Sequence, residues 1–162
     1  MFKNKQTYQM PGTFSQIHIH CIFAVKYRQS VINKDWKERL HQYLTGIVQN
    51  HKHKMIAINS MPDHIHMFFG MRPDQSLSDL MRIVKGDSSE WVNANKMTRS
   101  KFRWQEGYGA FSYEKNKIGV VATYIENQEI HHLSKSFLEE YRGFLDNFGI
   151  EYDEQYLFKE PE

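Results

Sequence analysis

From Thr13 to Tyr27 (TFSQIHIHCIFAVKY) β-branched and aromatic residues crowd together and partly alternate with polar ones, the signature of a strand. The pattern then changes period. In NKDWKERLHQYLTGIVQN, from Asn33 or Lys34 to Asn50, Trp36, Leu40, Tyr43, Leu44, Ile47 and Val48 recur at spacings of three and four, which predicts an amphipathic helix. Lys54 to Ser60 (KMIAINS) reads as a second strand, Met61-Pro62-Asp63 as a turn, and His64 to Gly70 (HIHMFFG) as a third strand. Ser76 is a candidate N-cap for a second helix running to about Asn93, with Leu77, Leu80, Met81, Val84 and Trp91 inward. After the polar, basic loop NANKMTRSK, Phe102 to Tyr113 predicts one or two short strands broken by Gly107 and Gly109. Helices are expected over Asn116–His132 and Ser134–Asn147, followed by an acidic, tyrosine-bearing stretch from Ile150 to Phe158. The order β-α-β-β-α-β-α-α, without internal repeats, predicts an α+β sandwich: an antiparallel sheet with helices packed on one or both faces.

A chain of 162 residues is long enough to bury a core and is expected to be one domain, with its core at about 14–148 and an acidic tail over 149–162. Cys21 stands alone, which excludes an internal disulfide and suits a reducing cytoplasm. MFKNKQTYQMPGTF has lysines but no apolar run behind them, so no signal peptide is expected, and no stretch approaches the ~20 apolar residues of a membrane helix. The formal net charge of +2 hides an asymmetry: 18 Lys and Arg against nine Asp and Glu through residue 125, then three against ten. The basic part suits an anionic partner such as nucleic acid.

Two His-x-His pairs carry the candidate chemistry, His18-Ile19-His20 and His64-Ile65-His66. On a strand, residues i and i+2 share a face, so each pair presents two imidazoles side by side. Such a pair can bind one divalent ion if a third ligand arrives from elsewhere, or can sit half-buried and hydrogen-bonded to backbone. The pattern is not His-Glu-x-x-His, which argues against a zinc metallopeptidase. In VVATYIENQEIHH, Tyr124 and Gln128 are four apart and expected on one helical face. A tyrosine hydroxyl is a nucleophile when a metal polarises the group it attacks, and a glutamine carbonyl can join the ion. Neutral ligands with open positions suit Mg²⁺ or Mn²⁺ acting on a phosphodiester.

His64-Ile65-His66 after Met-Pro-Asp, followed by Tyr124-x-x-x-Gln128, resembles the single-tyrosine HUH transposases of the smallest bacterial insertion sequences, the TnpA family. FAVKYRQSVI and WQEGYGAF resemble it too, and the likeness runs from about residue 14 to 148. The resemblance implies a ferredoxin-like (RRM-like) HUH endonuclease fold and a homodimer that cleaves and rejoins single-stranded DNA with hairpin ends through a 5′-phosphotyrosine. By position it implies Tyr124 as nucleophile and His64, His66 and Gln128 as ligands of Mg²⁺ or Mn²⁺. In the family the tyrosine helix commonly serves the other subunit's histidines. The pair in the first strand falls where the family has a core strand, so it is expected to be mainly structural, with His20 approaching the site. Asp63 either orients a ligating imidazole or shapes the turn, and His131-His132 suit a helix C-terminus. Lys26, Arg28, Arg82, Lys85, Arg99, Lys101 and Arg103 are the candidate DNA contacts, with Trp104, Tyr108 and Phe111 suited either to the core or to base stacking. Two other readings stay open: a non-enzymatic single-strand or hairpin DNA-binding protein, and an HUH nicking nuclease without strand transfer.

Overall fold

Alternation along two central strands divides the molecule into a core above and a core below one sheet. The structure, a computed structural model, describes residues 12–158. Strands β1 (His18–Ala24), β2 (Lys54–Met61), β3 (His64–Gly70) and β4 (Gly109–Ser112) form an antiparallel sheet in the order β2-β3-β1-β4. Cys21, Phe23, Val25, Ile65, Met67 and Phe69 point to one face, where α1 (Lys37–Asn50) and α2 (Leu77–Ala94) bring Leu40, Leu44, Val48, Leu80, Met81 and Val84. The opposite residues, Ile22, Ala24, Phe68 and the histidines between them, face α3 (Ile118–Glu126), α4 (Gln128–His131) and α5 (Phe137–Asn147). Each fully buried aliphatic or aromatic side chain here contributes about 1.5–3 kcal/mol relative to exposure. This is the expected α+β sandwich with a ferredoxin-like strand order, covered on both faces. Among the described residues no helix is long and apolar enough to cross a membrane.

The predicted β3 and the Ser76 cap match the structure, where Ser76 Oγ accepts from Asp79 N. Other elements are shorter than their patterns suggest. β1 ends at Ala24 because the chain leaves the sheet into a tight turn in which Tyr27 and Arg28 take left-handed φ values of 58° and 54°. Only Gly109–Ser112 of the 102–113 stretch pairs as a strand. Trp104 contributes a single bridge to Val25, while Lys85 Nζ holds the intervening loop by donating to the carbonyls of Gln105 and Gly107 at 2.7 Å.

The helix expected over 116–132 is broken at Asn127 into α3 and α4. The cause lies on β2: Asn59 Nδ2 donates to the carbonyls of Ile125 (2.9 Å) and Glu126 (3.2 Å), satisfying two of the orphan acceptors at the end of α3. Tyr124 and Gln128 therefore sit on two consecutive helices, yet both side chains still point to the same side, as their spacing of four predicts.

α5 begins with a capping box, Ser136 Oγ accepting from Glu139 N and Glu139 Oε2 from Ser136 N. It lies so close to β4 that a Cβ on Gly109 would stand 2.7 Å from Cε2 of Tyr141. The acidic tail packs onto the same helix, with Leu157 and Phe158 buried against Phe137 and Tyr141 and Arg142 paired with Glu154 at 2.8 Å. Gly109→Ala is expected to lower unfolding free energy by about 1–3 kcal/mol in urea titrations, since overpacking must push α5 from the sheet. Unchanged stability would show that α5 is free to shift.

Candidate metal and nucleophile centre

The turn after β2 builds the first half of the site. Pro62 O accepts from Val31 N (3.0 Å) and Ile32 N (2.9 Å), and Asp63 O from Val25 N (2.8 Å), so the turn is pinned where β1 ends. Asp63 then faces two ways. Its Oδ2 accepts from Arg28 Nε at 2.8 Å, and its Oδ1 lies 2.7 Å from His64 Nδ1. Burial would raise the Asp63 carboxyl, but the hydrogen bond to His64 and the Arg28 guanidinium outweigh it and hold the group below its usual range. An ionised Asp63 only accepts, so His64 carries its proton on Nδ1 and directs the lone pair of Nε2 inward. That Nε2 is buried and has no hydrogen-bond partner among the described residues. Burial pulls the His64 pKa down to about 4, against the opposing pull of Asp63, so the ring is neutral.

His66 follows on the same face. Its Nδ1 lies 2.8 Å from His20 Nε2, and its Nε2 donates to Glu140 Oε1 at 3.1 Å. His20 is fully buried and stacked on His66, so the first His-x-His pair braces the second.

α3, α4 and α5 supply the other half. Tyr124 Oη donates to Glu140 Oε2, and Gln128 Nε2 donates to the same oxygen at 3.2 Å. Gln128 Oε1 accepts from His132 Nε2 at 3.1 Å, and that nitrogen also stands 3.4 Å from Glu140 Oε1. Burial opposes ionisation of Glu140, yet hydrogen bonds from His132, His66 and Tyr124 hold its carboxyl below the usual range. Burial and then the charge of Glu140 push the Tyr124 hydroxyl above its ordinary value, so the phenol keeps its proton. Ligand atoms of His64, His66, His132 and Glu140 all lie within 4.8 Å of one another. An orphaned imidazole lone pair, two further imidazoles and a carboxylate fit a divalent cation. A cavity of about 300 Å³ opens beside this centre, lined by His20, Tyr113, Tyr124, Lys135, Glu140 and Phe144.

The candidate residues thus divide. His64, His66, Tyr124, Gln128 and Asp63 converge in a single chain. The histidine expectation at the helix end changes, since His132 faces the centre, and Glu140 was not foreseen. Its signal was legible: Phe137, Tyr141 and Phe144 define the apolar stripe of α5, and Glu140 falls within it. Of the basic residues, Lys26, Lys101 and Arg103 line one hollow with Tyr27, and Arg99 is exposed. Arg82 is exposed and paired with Asp79, Lys85 is spent on the loop carbonyls, and Arg28 is buried on Asp63 and over the Phe137 ring. Trp104 and Phe111 belong to the core, and Tyr108 packs against it.

The molecule is thus a four-stranded α+β scaffold that carries a tyrosine beside a histidine–carboxylate cluster. The family model "Transposase IS200 like" matches residues 13–128, and the chain belongs to that family of enzymes acting on DNA. It is 27% identical over 122 residues to the ISDra2 transposase TnpA of Deinococcus radiodurans, covering 72% of this chain and 87% of that protein. It is 25% identical over 114 residues to the transposase for insertion sequence element IS200 of Salmonella typhimurium, covering 67% and 74%. Among solved structures, a protein of Deinococcus radiodurans R1 described as a transposase superposes with a TM-score of 0.61 at 24% identity, covering 74% of this chain and 96% of that one. A REP-associated tyrosine transposase bound to a REP hairpin superposes with a TM-score of 0.57 at 13% identity, covering 76% and 73%, and shares the fold.

Neutral buried histidines have a cost in acid. His64 and His41, the latter bonded to Ser60 Oγ at 2.8 Å, both fall to about 4 from 6.5, chiefly through burial. The unfolded chain then binds more protons than the folded one as pH falls, so their contribution is whole above about 6.5 and is lost between there and 4. The ionised Glu140 acts with the same sign. The melting temperature is expected to fall steadily from pH 6.5 to 4, less steeply in His41→Gln; a flat profile in the parent protein would contradict neutral burial.

Proposed function

We propose that this protein cleaves and rejoins single-stranded DNA at insertion-sequence ends through a 5′-phosphotyrosine on Tyr124. The observation that carries the reading is the meeting of Tyr124 and His66 on one buried carboxylate, Glu140, within a single chain. His64 and His66 would hold a divalent ion, Mg²⁺ or Mn²⁺, with Gln128 as a third group; His66 would do so in the tautomer that carries its proton on Nδ1, toward His20, instead of on Nε2. A half-turn of the Gln128 amide, which now gives Oε1 to His132, is what presents its carbonyl inward. Asp63, itself held by Arg28, fixes the His64 tautomer that offers a lone pair. The bound ion supplies neutralisation of charge developing on the phosphate oxygens.

Tyr124 Oη attacks the phosphorus, forming a P–O bond while the P–O3′ bond breaks. Its proton passes to Glu140 Oε2, the atom it already faces, and the departing 3′ oxygen takes a proton from solvent water to become a free 3′-OH. In rejoining, a 3′-OH from another DNA end attacks the phosphotyrosine, and Tyr124 recovers its hydroxyl. One phosphodiester is exchanged for another, so no nucleotide triphosphate is consumed. The cavity beside Tyr124 admits the strand, and Lys26, Lys101, Arg103 and Arg99 neutralise its backbone, with the exposed Tyr27 ring between them as a stacking platform. The homodimer implied by the resemblance then carries two sites, each complete within one chain.

Incubation with Mn²⁺ and labelled single-stranded oligonucleotides from the ends flanking its gene is expected to give a covalent protein–DNA band on denaturing gels. Tyr124→Phe and EDTA should each abolish that band. Gel retardation with no covalent band at either end would instead identify a DNA-binding protein, and cleavage without rejoined product a nicking nuclease.

A further inference from the structure

α5 places an anion where an amphipathic helix ordinarily buries hydrocarbon. Glu140 lies three residues after Phe137 and four before Phe144, on the side of the helix that packs against the sheet, and is only 4% exposed. A carboxylate taken out of water is costly unless it is fully engaged. Its two oxygens are engaged differently. Oε2 takes the Tyr124 hydroxyl and Gln128 Nε2. Oε1 is turned to the imidazoles, 3.1 Å from His66 Nε2, 3.4 Å from His132 Nε2 and 3.9 Å from His64 Nε2.

The last of these contacts is the informative one. His64 donates from Nδ1 to Asp63, so its inward Nε2 is an acceptor, and Glu140 Oε1 is an acceptor as well. Two buried acceptors facing each other across 3.9 Å repel, and among the described residues no donor lies on that nitrogen. A cation between the histidines and the carboxylate turns that repulsion into two bonds. Charge points the same way. The amide of Gln128 brings none, and Asp63 is already matched by Arg28. Glu140 is the anionic group in the cluster of candidate ligands.

We propose that Glu140 is the anionic ligand of the divalent ion held by His64 and His66, and that its second oxygen positions Tyr124 beside that ion. The proposal rests on the reading of the centre as a divalent cation site. It assigns a role to a residue beyond the 13–128 stretch matched by the family model. It also explains why α5 is held so firmly, by its capping box and by the contact of Tyr141 with Gly109: a ligand on a loose helix would lose its geometry.

Isothermal titration of the full chain with Mn²⁺ near neutral pH tests this without DNA or turnover. Wild type should bind one ion per chain, and His66→Ala should lose that binding. Glu140→Gln, which preserves shape but removes the charge, should weaken Mn²⁺ affinity by about tenfold or more. Glu140→Asp keeps the charge one methylene short and should weaken it less; it serves as the decisive variant if Glu140→Gln does not give a wild-type-like circular dichroism spectrum. Wild-type affinity in a folded Glu140 variant, alongside loss in His66→Ala, overturns the role of Glu140 while leaving the cation site standing. No ion bound by wild type overturns both.

Discussion

Antiparallel pairing of β1 with β3 sets Ala24 opposite His64, Ile22 opposite His66 and His20 opposite Phe68. Because side chains alternate, this register sends His20, His64 and His66 to one face and Phe23, Ile65 and Met67 to the other. A slip by one residue would bury imidazoles under α1 and α2 and aim isoleucine at Tyr124. The register is secured by the apolar face, and the site inherits it. The Pro62–Asp63 turn, bonded to Val25, Val31 and Ile32, then ties the hairpin to the end of β1, which brings Arg28 onto Asp63. The left-handed Tyr27–Arg28 turn is strained for residues with side chains, and the Asp63 pair and the Phe137 ring hold it in place.

On that platform α5 closes the centre. Phe137 stacks on His64 with ring centroids 4.0 Å apart, Glu140 gathers Tyr124, His66, Gln128 and His132, and Phe144 packs edge-on to His20. Helix, turn and sheet are thus coupled through one buried carboxylate. The tail that follows, acidic by composition, contributes Leu157 and Phe158 to the same packing.

Periodicity alone located β3 and its histidine pair, the Ser76 cap, and the helical setting of Tyr124, because each of those features is local. What escaped depends on contacts between distant segments. The break at Asn127 comes from an asparagine on β2, which no window around α3 contains. Arg28 looked like a DNA contact among its basic neighbours, yet its partner Asp63 lies 35 residues away. Lys85 is spent likewise on loop carbonyls 20 and 22 residues on. His20, expected to be mainly structural while approaching the site, does both, since the pairing of β1 with β3 makes it the brace of His66. Glu140 alone was accessible by pattern, as a charge inside an apolar stripe. Membership in the IS200-like transposase family accounts for the shared scaffold through residue 128, whereas the carboxylate that accepts from Tyr124 lies beyond it.

Anomalous diffraction at the manganese edge, from crystals of the protein grown or soaked with Mn²⁺, tests the centre most directly. One strong peak is expected, bonded by the Nε2 atoms of His64 and His66, beneath the Tyr124 hydroxyl of the same chain. Manganese found only on surface carboxylates, with those two nitrogens left bare, would contradict it.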